Sequence, residues 1–476
     1  MDDARGDHAL ALVGVGGAII DLTTVGHPND HSGCSWTGKR WLVGQDSRGR
    51  AESDDEDTEN STPTEKDSAM TTNPLDDVVS SQYERWMYPQ PILDLPGWLA
   101  TNWQWFDPSH AHRMFWPDRD SKPDIDILVA GCGTNQAAVL AFTNPEAKVV
   151  AIDVSQPSLD HHAYLKNRYA MNNLELHRLP IEEVHALGRD FDLIVSTGVL
   201  HHMAEPKAGM QALAACLRLD GVAAIMLYAK YGRLGVEMLQ GVFRELGLRQ
   251  NDPSVLMVKD ALATLSQDHP IKTYVSVAPD LLFDAGLVDT FLHGREQCYS
   301  VDDCLDLVTS SGLVFQDLFL KSAYYPPSSS TSAFHAAVAA LPEQQQWSIM
   351  ERVNIRNACH FFTACRADRP RGTYAIDFAA PGALDFVPSF RHRCSLSGNE
   401  LSRHNWTTTV DAVQGALAGQ VDGRRTIREI IAAASQGGAL PQGSEADHEQ
   451  FAKALFQSLW RLDFAAMGLK AVEPVL

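Results

Sequence analysis

The chain has 476 residues, 45% of them hydrophobic, enough for large cores and about three domain-sized units. Asp and Glu outnumber Lys and Arg by 60 to 39, and the net charge of −21 speaks against nucleic acid as the main partner. The eight cysteines, at 34, 132, 216, 298, 304, 359, 365 and 394, include no C-x-x-C pair. They signal neither a zinc site nor a disulfide framework, so no metal is expected and the profile is that of a reduced, cytoplasmic chain.

Residues 1–75 read as a disordered acidic leader, with fourteen acids and six bases. Glu52 to Asp57 and the Ser/Thr/Pro-rich stretch after it cannot bury enough apolar surface to offset chain entropy. Met70 opens a plausible shorter chain. Ala9 to Ile20 is apolar, but acids precede it where a signal peptide needs positive charge, and no run reaches the ~18–20 apolar residues of a membrane span. Order is expected from Asp76. Tyr83 to Pro91 is dense in aromatics and prolines, and Trp98, Trp103 and Trp105 follow. This segment reads either as packing against a sheet or as a lid over a ligand.

Ile125 to Ala130 is an apolar run that ends in a glycine turn, Gly131-Cys132-Gly133-Thr134-Asn135. A helix-compatible segment follows, and then Val149 to Ile152 ends in Asp153. That order is what a βαβ nucleotide site requires. Glycines let backbone N–H groups approach a polar ligand at a helix N-terminus, and an acid at the second strand's tip can hold ribose hydroxyls. Gln136 stands where a dinucleotide fingerprint needs its third glycine, which argues against a nicotinamide or flavin cofactor. A ligand with adenosine and no phosphate tolerates the change. Cys132, between the glycines, reads as a small buried hydrophobe.

Phe191 to Thr197 reads as a buried strand leading into a polar loop, Gly198 to Met203. Leu217 to Tyr228 reads as a helix end, a turn and another buried strand. Together these segments resemble the class I S-adenosylmethionine-dependent methyltransferase family over roughly residues 76–369. The resemblance implies an α/β, Rossmann-like seven-stranded sheet and S-adenosylmethionine as cofactor. It implies that Ala130, Gly131 and Gly133 surround the methionine part and that Asp153 accepts from both ribose hydroxyls. Ile181 would pack on the adenine ring, and Glu182, with Glu183 as the alternative, would meet its amino group. Thr197 and Gly198 would face the transferring methyl. Relatives similar here carry a YExxxYPxP segment before the domain, as Tyr83 to Pro91 does. The family's loop usually reads Gly-x-Gly-x-Gly. Asn135 takes the place of the third glycine, which is acceptable because Asn tolerates left-handed backbone angles.

His201-His202 reads either as architecture or as a general base, since histidine titrates near neutral pH. Methyl transfer from a sulfonium needs alignment, desolvation and, for some acceptors, proton removal. The candidates for catalysis are His202, Tyr228 and Tyr231. The candidates for acceptor recognition are Tyr228, Tyr231, Arg233, Asp289 and His293, the last two on an insertion running from Gly247 to about Tyr299. Helical spacing at Val236–Leu246 and Val301–Ser310 follows the fifth strand. Leu313–Leu320 and Cys359–Arg366 read as the antiparallel closing pair of the sheet, separated by helical residues between about Ser332 and Asn357.

Asp368 to Gly372 reads as a boundary, giving three divisions: leader 1–75, methyltransferase domain 76–369 and small C-terminal accessory domain 370–476. The last has helical spacing at Val410–Leu417, Ile427–Ala434 and Phe451–Phe464, with Thr426 as an N-cap. Its Asp422-Gly423-Arg424-Arg425-Thr426-Ile427 segment resembles winged-helix-like accessory domains of peptide-modifying systems, which implies a docking or regulatory module. The expected function is methyl transfer to a small-molecule or protein acceptor. The strand-four loop lacks a polar-Pro-Pro-aromatic set, which disfavours base and amide nitrogens. The alternatives are a cofactor-binding regulator without turnover and a nicotinamide oxidoreductase.

Overall fold

A computed structural model describes residues 73–469 apart from 76 and 405. The leader, except for its last three residues, and the Met70 start lie outside these residues. Seven strands form one sheet in the order β3-β2-β1-β4-β5-β7-β6. They are β1 (Asp126–Ala130), β2 (Lys148–Asp153), β3 (Leu174–Arg178), β4 (Phe191–Thr197), β5 (Leu217–Tyr228), β6 (Leu313–Leu318) and β7 (Cys359–Arg366). The first five run parallel, and β7 inserts antiparallel between β5 and β6. The α/β reading and the closing pair are both borne out.

Both faces of the sheet are covered, so the central strands read as unbroken apolar runs. Period-two alternation divides them. Ile127, Val129, Val149, Ala151, Leu193 and Val195 face one core, shared with helices Gln136–Thr143 and Gln156–Arg168. Leu128, Ala130, Val150, Ile152, Ile194 and Ile225 face a second, shared with helices Pro206–Ala215 and Val301–Ser310.

One local expectation fails. Leu217 to Gly221 is no separate turn; β5 already begins at Leu217. The register jumps from Phe191↔Leu217 to Leu193↔Val222, so four residues of β5 stand opposite Asp192 alone. The irregularity is pinned by Arg218, whose guanidinium bridges Asp192 at 2.5 Å and Asp126 at 2.6 Å.

Helix Leu234–Glu245 follows β5, and the insertion then forms helices Asp252–Thr264, Ile271–Val275 and Asp284–Phe291. Beyond β7, residues 378–467 gather around a third core that includes Leu417, Ile427, Ile430, Phe456 and Phe464. Here β8 (Val387–Phe390) pairs with β12 (Ala465–Gly468), while β9 (Ser395–Ser397), β10 (Glu400–Arg403) and β11 (Trp406–Thr409) make a three-stranded sheet. Thr426 caps helix Ile427–Gln436 in a capping box with Glu429. The last helix runs Glu445–Arg461, six residues earlier than its apolar spacing indicates, because Ser444 and Asp447 form a capping box upstream. Val410 lies outside helix Ala412–Ala418, which Asp411 caps. No described helix is long and apolar enough to cross a membrane.

Candidate functional site at the carboxyl edge of the sheet

The glycine turn after β1 is closed by two bonds to β2, Gly131 N–H and Cys132 N–H both donating to Ile152 O at 2.9 and 3.1 Å. Gly131 has φ +73°, and a Cβ there would stand 2.4 Å from Val199 Cγ2, so no side chain fits. Gly133, at φ +52°, donates its N–H to Asp153 Oδ2 at 2.8 Å. Asp153 Oδ1 accepts from Ser155 N–H at 2.9 Å. Burial pushes the Asp153 carboxyl up to about 6, against the pull of those N–H groups. Val154 N–H and the Cys132 thiol pull in the same direction.

Gln136 and Asn135 explain themselves here. Gln136 Nε2 donates to Thr197 Oγ1 at 3.0 Å and ties the helix start to the end of β4. Asn135 has φ −129°, so the expected left-handed backbone is not the reason for its presence. Its side chain is a clamp instead. Oδ1 accepts from Ile92 N–H at 2.9 Å and Nδ2 donates to Gln90 O at 2.8 Å. Thr134 Oγ1 adds a bond to Pro89 O at 2.6 Å. Residues 83–92 therefore form a strap seated on the glycine turn, with Pro89 Cδ and Tyr88 O each 3.1 Å from where a Gly133 Cβ would be.

Ala130, Gly131, Gly133, Asp153, Thr197 and Gly198 all come to the carboxyl ends of β1, β2 and β4. Gly198 adopts φ +76° as the chain leaves β4. Ile181 is buried at the start of the 3-10 helix Ile181–Leu187, Glu182 beside it is half-buried with its carboxyl raised by burial, and Glu183 is exposed.

Next to this edge lies a buried polar cluster. His201 stacks on Tyr228, ring centroids 3.8 Å apart, and its Nδ1 accepts from Tyr228 N–H, an architectural role. His202 stacks on His293 at 3.8 Å. Its Nδ1 donates to Arg295 O at 3.0 Å, so its Nε2 carries the lone pair; that atom is buried and has no hydrogen-bond partner among the described residues. Burial lowers the His202 imidazole to about 4, so it is neutral at pH 7. Asp289 accepts from Tyr83 Oη at 2.7 Å and from Tyr228 Oη at 3.2 Å. Burial raises its carboxyl to about 7; the Tyr83 bond opposes this, and Glu296 and Asp280 add to it. Tyr88 Oη donates to Asp280 Oδ2 at 2.9 Å, and burial raises that acid too. Arg233, fully buried, holds Glu296 through both carboxylate oxygens at 2.9 and 3.0 Å and lies 3.7 Å over the Tyr228 ring.

His202, Asp289 and His293 place ligand-type atoms within 4.8 Å of one another. At Asp289 and His293 the nearby Tyr83 hydroxyl engages these atoms. His293 Nδ1 accepts from Arg295 N–H at 3.0 Å, so the neutral ring bears its proton on Nε2, facing Tyr83 Oη at 3.4 Å. The chain of donors runs His293, Tyr83, Asp289. The structure thus gathers His202, Tyr228, Arg233, Asp289 and His293. Tyr231 is half-buried in the turn Tyr231–Arg233 and makes none of these bonds. Tyr83, Tyr88, Asp280 and Glu296 are members that sequence reasoning did not assign; the aromatic density of 83–91 was the available signal for the two tyrosines.

A family model described as a methyltransferase domain matches residues 128–223, from β1 into β5. The phycocyanin operon protein W of Pseudanabaena tenuis is 39% identical over 83 residues, covering 17% of this chain and 76% of that protein. Residues 128–223 thus carry a methyltransferase domain, and the fold around them is the Rossmann-like class I methyltransferase fold. An uncharacterized Synechococcus protein is 29% identical over 245 residues, 50% of this chain and 58% of that protein. The malonyl-[acyl-carrier protein] O-methyltransferase of Acetivibrio thermocellus is 31% identical over 112 residues, 23% and 38%. The chain thus spans less than two thirds of the length of these two relatives. Among solved structures, PKMT2 from Rickettsia typhi has the same fold at 15% identity. Its TM-score is 0.56, over 80% of this chain and 77% of that one; in complex with AdoHcy it is 0.55, over 76% and 75%.

Proposed function

We propose that the chain transfers the methyl group of S-adenosylmethionine to an amine nitrogen, on a small molecule or a protein side chain. The fit of the cofactor rests on the positive-φ glycine turn after β1 and on the Asp153 carboxyl at the tip of β2 beside it. S-adenosylmethionine supplies an electrophilic methyl on a sulfonium. Asp153 holds the ribose, Ile181 backs the adenine, and Thr197 and Gly198 border the methyl.

The acceptor class follows from one observation: the cluster holds three buried or nearly buried acids, Asp280, Asp289 and Glu296, with one arginine among them. A buried carboxylate costs free energy unless a cation accompanies it. An ammonium supplies that cation, and tyrosine faces favour it further. An ammonium has no lone pair, so one proton must leave before nitrogen can attack. Asp289, raised to about 7, is poised to receive it. His202 Nε2 accepts a remaining N–H and turns the nitrogen lone pair toward the methyl. With the cofactor bound, transfer of its methyl to that nitrogen would break the carbon–sulfur bond and leave the positive charge on the methylated amine.

Calorimetric titration tests this without knowledge of the acceptor. S-adenosylmethionine and S-adenosylhomocysteine should bind and NAD should not. Sinefungin, whose amine-bearing carbon replaces the methyl sulfonium, should bind about tenfold more tightly than S-adenosylhomocysteine. Equal affinity for those two would remove the amine assignment while leaving the methyltransferase reading intact. Cofactor binding without turnover on any amine would favour the regulator.

A further inference from the structure

Helix Leu234–Glu245 turns one face inward and leaves the other without a packing partner among the described residues. Inward, Val236, Leu239 and Phe243 join the first core, and Gln240 Nε2 donates to Thr290 O at 2.8 Å. Outward, Leu234, Met238, Val242 and Leu246 follow one another at every fourth position, 43, 53, 47 and 62% exposed. Residues four apart stand one above the next on a helix, so these side chains make a single ridge. Exposed apolar side chains scattered singly are ordinary on a protein surface. A continuous ridge marks a surface that meets another.

The ridge reads the same from either end. Leu234 and Leu246 lie six residues to each side of Gln240, and Met238 and Val242 lie two. Glu237 in the first turn and Arg244 in the last flank the ridge; both are exposed, and neither forms an ion pair among the described residues. Gly241, beside the midpoint, has nothing within 4 Å of where a Cβ would stand, so the backbone is open to close approach there. Exposed Glu245 ends the helix, where the dipole disfavours a carboxylate, and so gains from a positive neighbour brought from outside.

We propose that this face docks a second copy of the chain, the two helices crossing antiparallel near Gln240 and Gly241. Ridges of four-residue spacing pack into one another's grooves at about 50°. Leu234 of one copy then meets Leu246 of the other, Met238 meets Val242, and Glu237 meets Arg244 on both sides of the crossing. Parallel pairing would set Glu237 against Glu237 and Arg244 against Arg244, so the charges choose the antiparallel arrangement. Glu245 comes to the N-terminal end of the facing helix, where the dipole favours it. A lipid surface fits less well. The flank carries Glu237 and Glu245 against Arg244 alone, and a net charge of −21 is repelled by an anionic membrane. The inference rests on surface side chains and is independent of the amine reading.

Sedimentation velocity of the full chain, over concentrations from about 1 to about 100 μM, should show a reversible monomer–dimer equilibrium. Met238→Glu puts a charge into the ridge and should raise the dissociation constant at least about tenfold, with an unchanged circular-dichroism spectrum. Glu237→Arg and Arg244→Glu should each weaken the dimer about threefold or more by setting like charges together. Combined, they should bring the affinity back to within about twofold of the parent, a rescue special to antiparallel pairing. A chain monomeric throughout, a dimer that Met238→Glu leaves intact, or a double variant no tighter than the single ones would overturn the proposal. A monomer that sediments with phosphatidylserine vesicles, and ceases to do so in Met238→Glu, would overturn it in favour of a membrane partner.

Discussion

Tyr83 and Asp289 stand 206 residues apart in sequence and share a 2.7 Å hydrogen bond. That bond joins the strap on the glycine turn to the insertion after β5. The cofactor turn and the acidic cluster are thereby parts of one structure: Asn135 and Thr134 hold the strap at one end, and Asp289 and Asp280 hold it at the other.

Removing the Tyr83 hydroxyl tests this bridge. Tyr83→Phe deletes a donor to a buried carboxylate and should cost ~1–3 kcal/mol in stability. Sinefungin should bind several-fold more weakly while S-adenosylhomocysteine is unaffected. Equal losses for the two ligands would mean that the strap serves only the cofactor.

Asp289 makes stability depend on pH. Its carboxyl is near 7 in the fold and about 3.9 in an unfolded chain. Between those values the folded state binds more protons than the unfolded one, so stability falls as pH rises through that window. Asp289→Asn removes the term. It should match the parent near pH 4 and exceed it at pH 8 by on the order of a few kcal/mol, read from unfolding midpoints. A gain that does not grow with pH would sink the assignment. The same ionisation should make sinefungin binding strengthen from pH 6 to pH 8 in the parent and stay flat in the variant.

Asp153→Ala should weaken S-adenosylmethionine binding by ~1–3 kcal/mol, the worth of hydrogen bonds to a charged group. Calorimetry on a folded variant checks it, and unchanged affinity would refute the ribose role.

Asn135→Gly restores the family's usual loop. If Asn135 is a clamp, the variant should lose ~1–3 kcal/mol of stability with two strap bonds and gain no cofactor affinity. Tighter S-adenosylmethionine binding would show that the asparagine burdens the turn.

A cut after Arg369 addresses the proposed boundary between sheet and accessory domain. The third core is separate, but Lys321, Ser322 and Phe319 all bond to Asp463 or Arg391 across the seam. The shortened chain should keep S-adenosylmethionine binding and melt earlier. Loss of cofactor binding, or a molten circular-dichroism spectrum, would make the boundary wrong.

The strands, the glycine turn and the acid of β2 are legible because each is a local pattern: an apolar run, a φ > 0 residue, a strand end. Asp289 and His293 are candidates by composition and by their place on an insertion after the fifth strand, and their meeting with His202 and Tyr228 comes from the insertion folding back. Tyr83 and Tyr88 carry no local sign of which acids they meet. The start of β5 was misread because Asp220-Gly221 is turn-like, while the force that keeps it extended comes from Asp126 and Asp192 on other strands. Asn135 was legible as a departure, but its partners lie more than forty residues upstream.

The strap also sets an order in time. A ribosome adding about 5–20 residues per second delivers Asp289 roughly 10 to 40 s after Tyr83. Throughout that interval the nascent chain carries Tyr83, Trp86 and Tyr88 with no carboxylate to receive the phenols. A chain stalled before the insertion therefore has the strap's partners at Thr134 and Asn135 but none for the Tyr83 and Tyr88 hydroxyls.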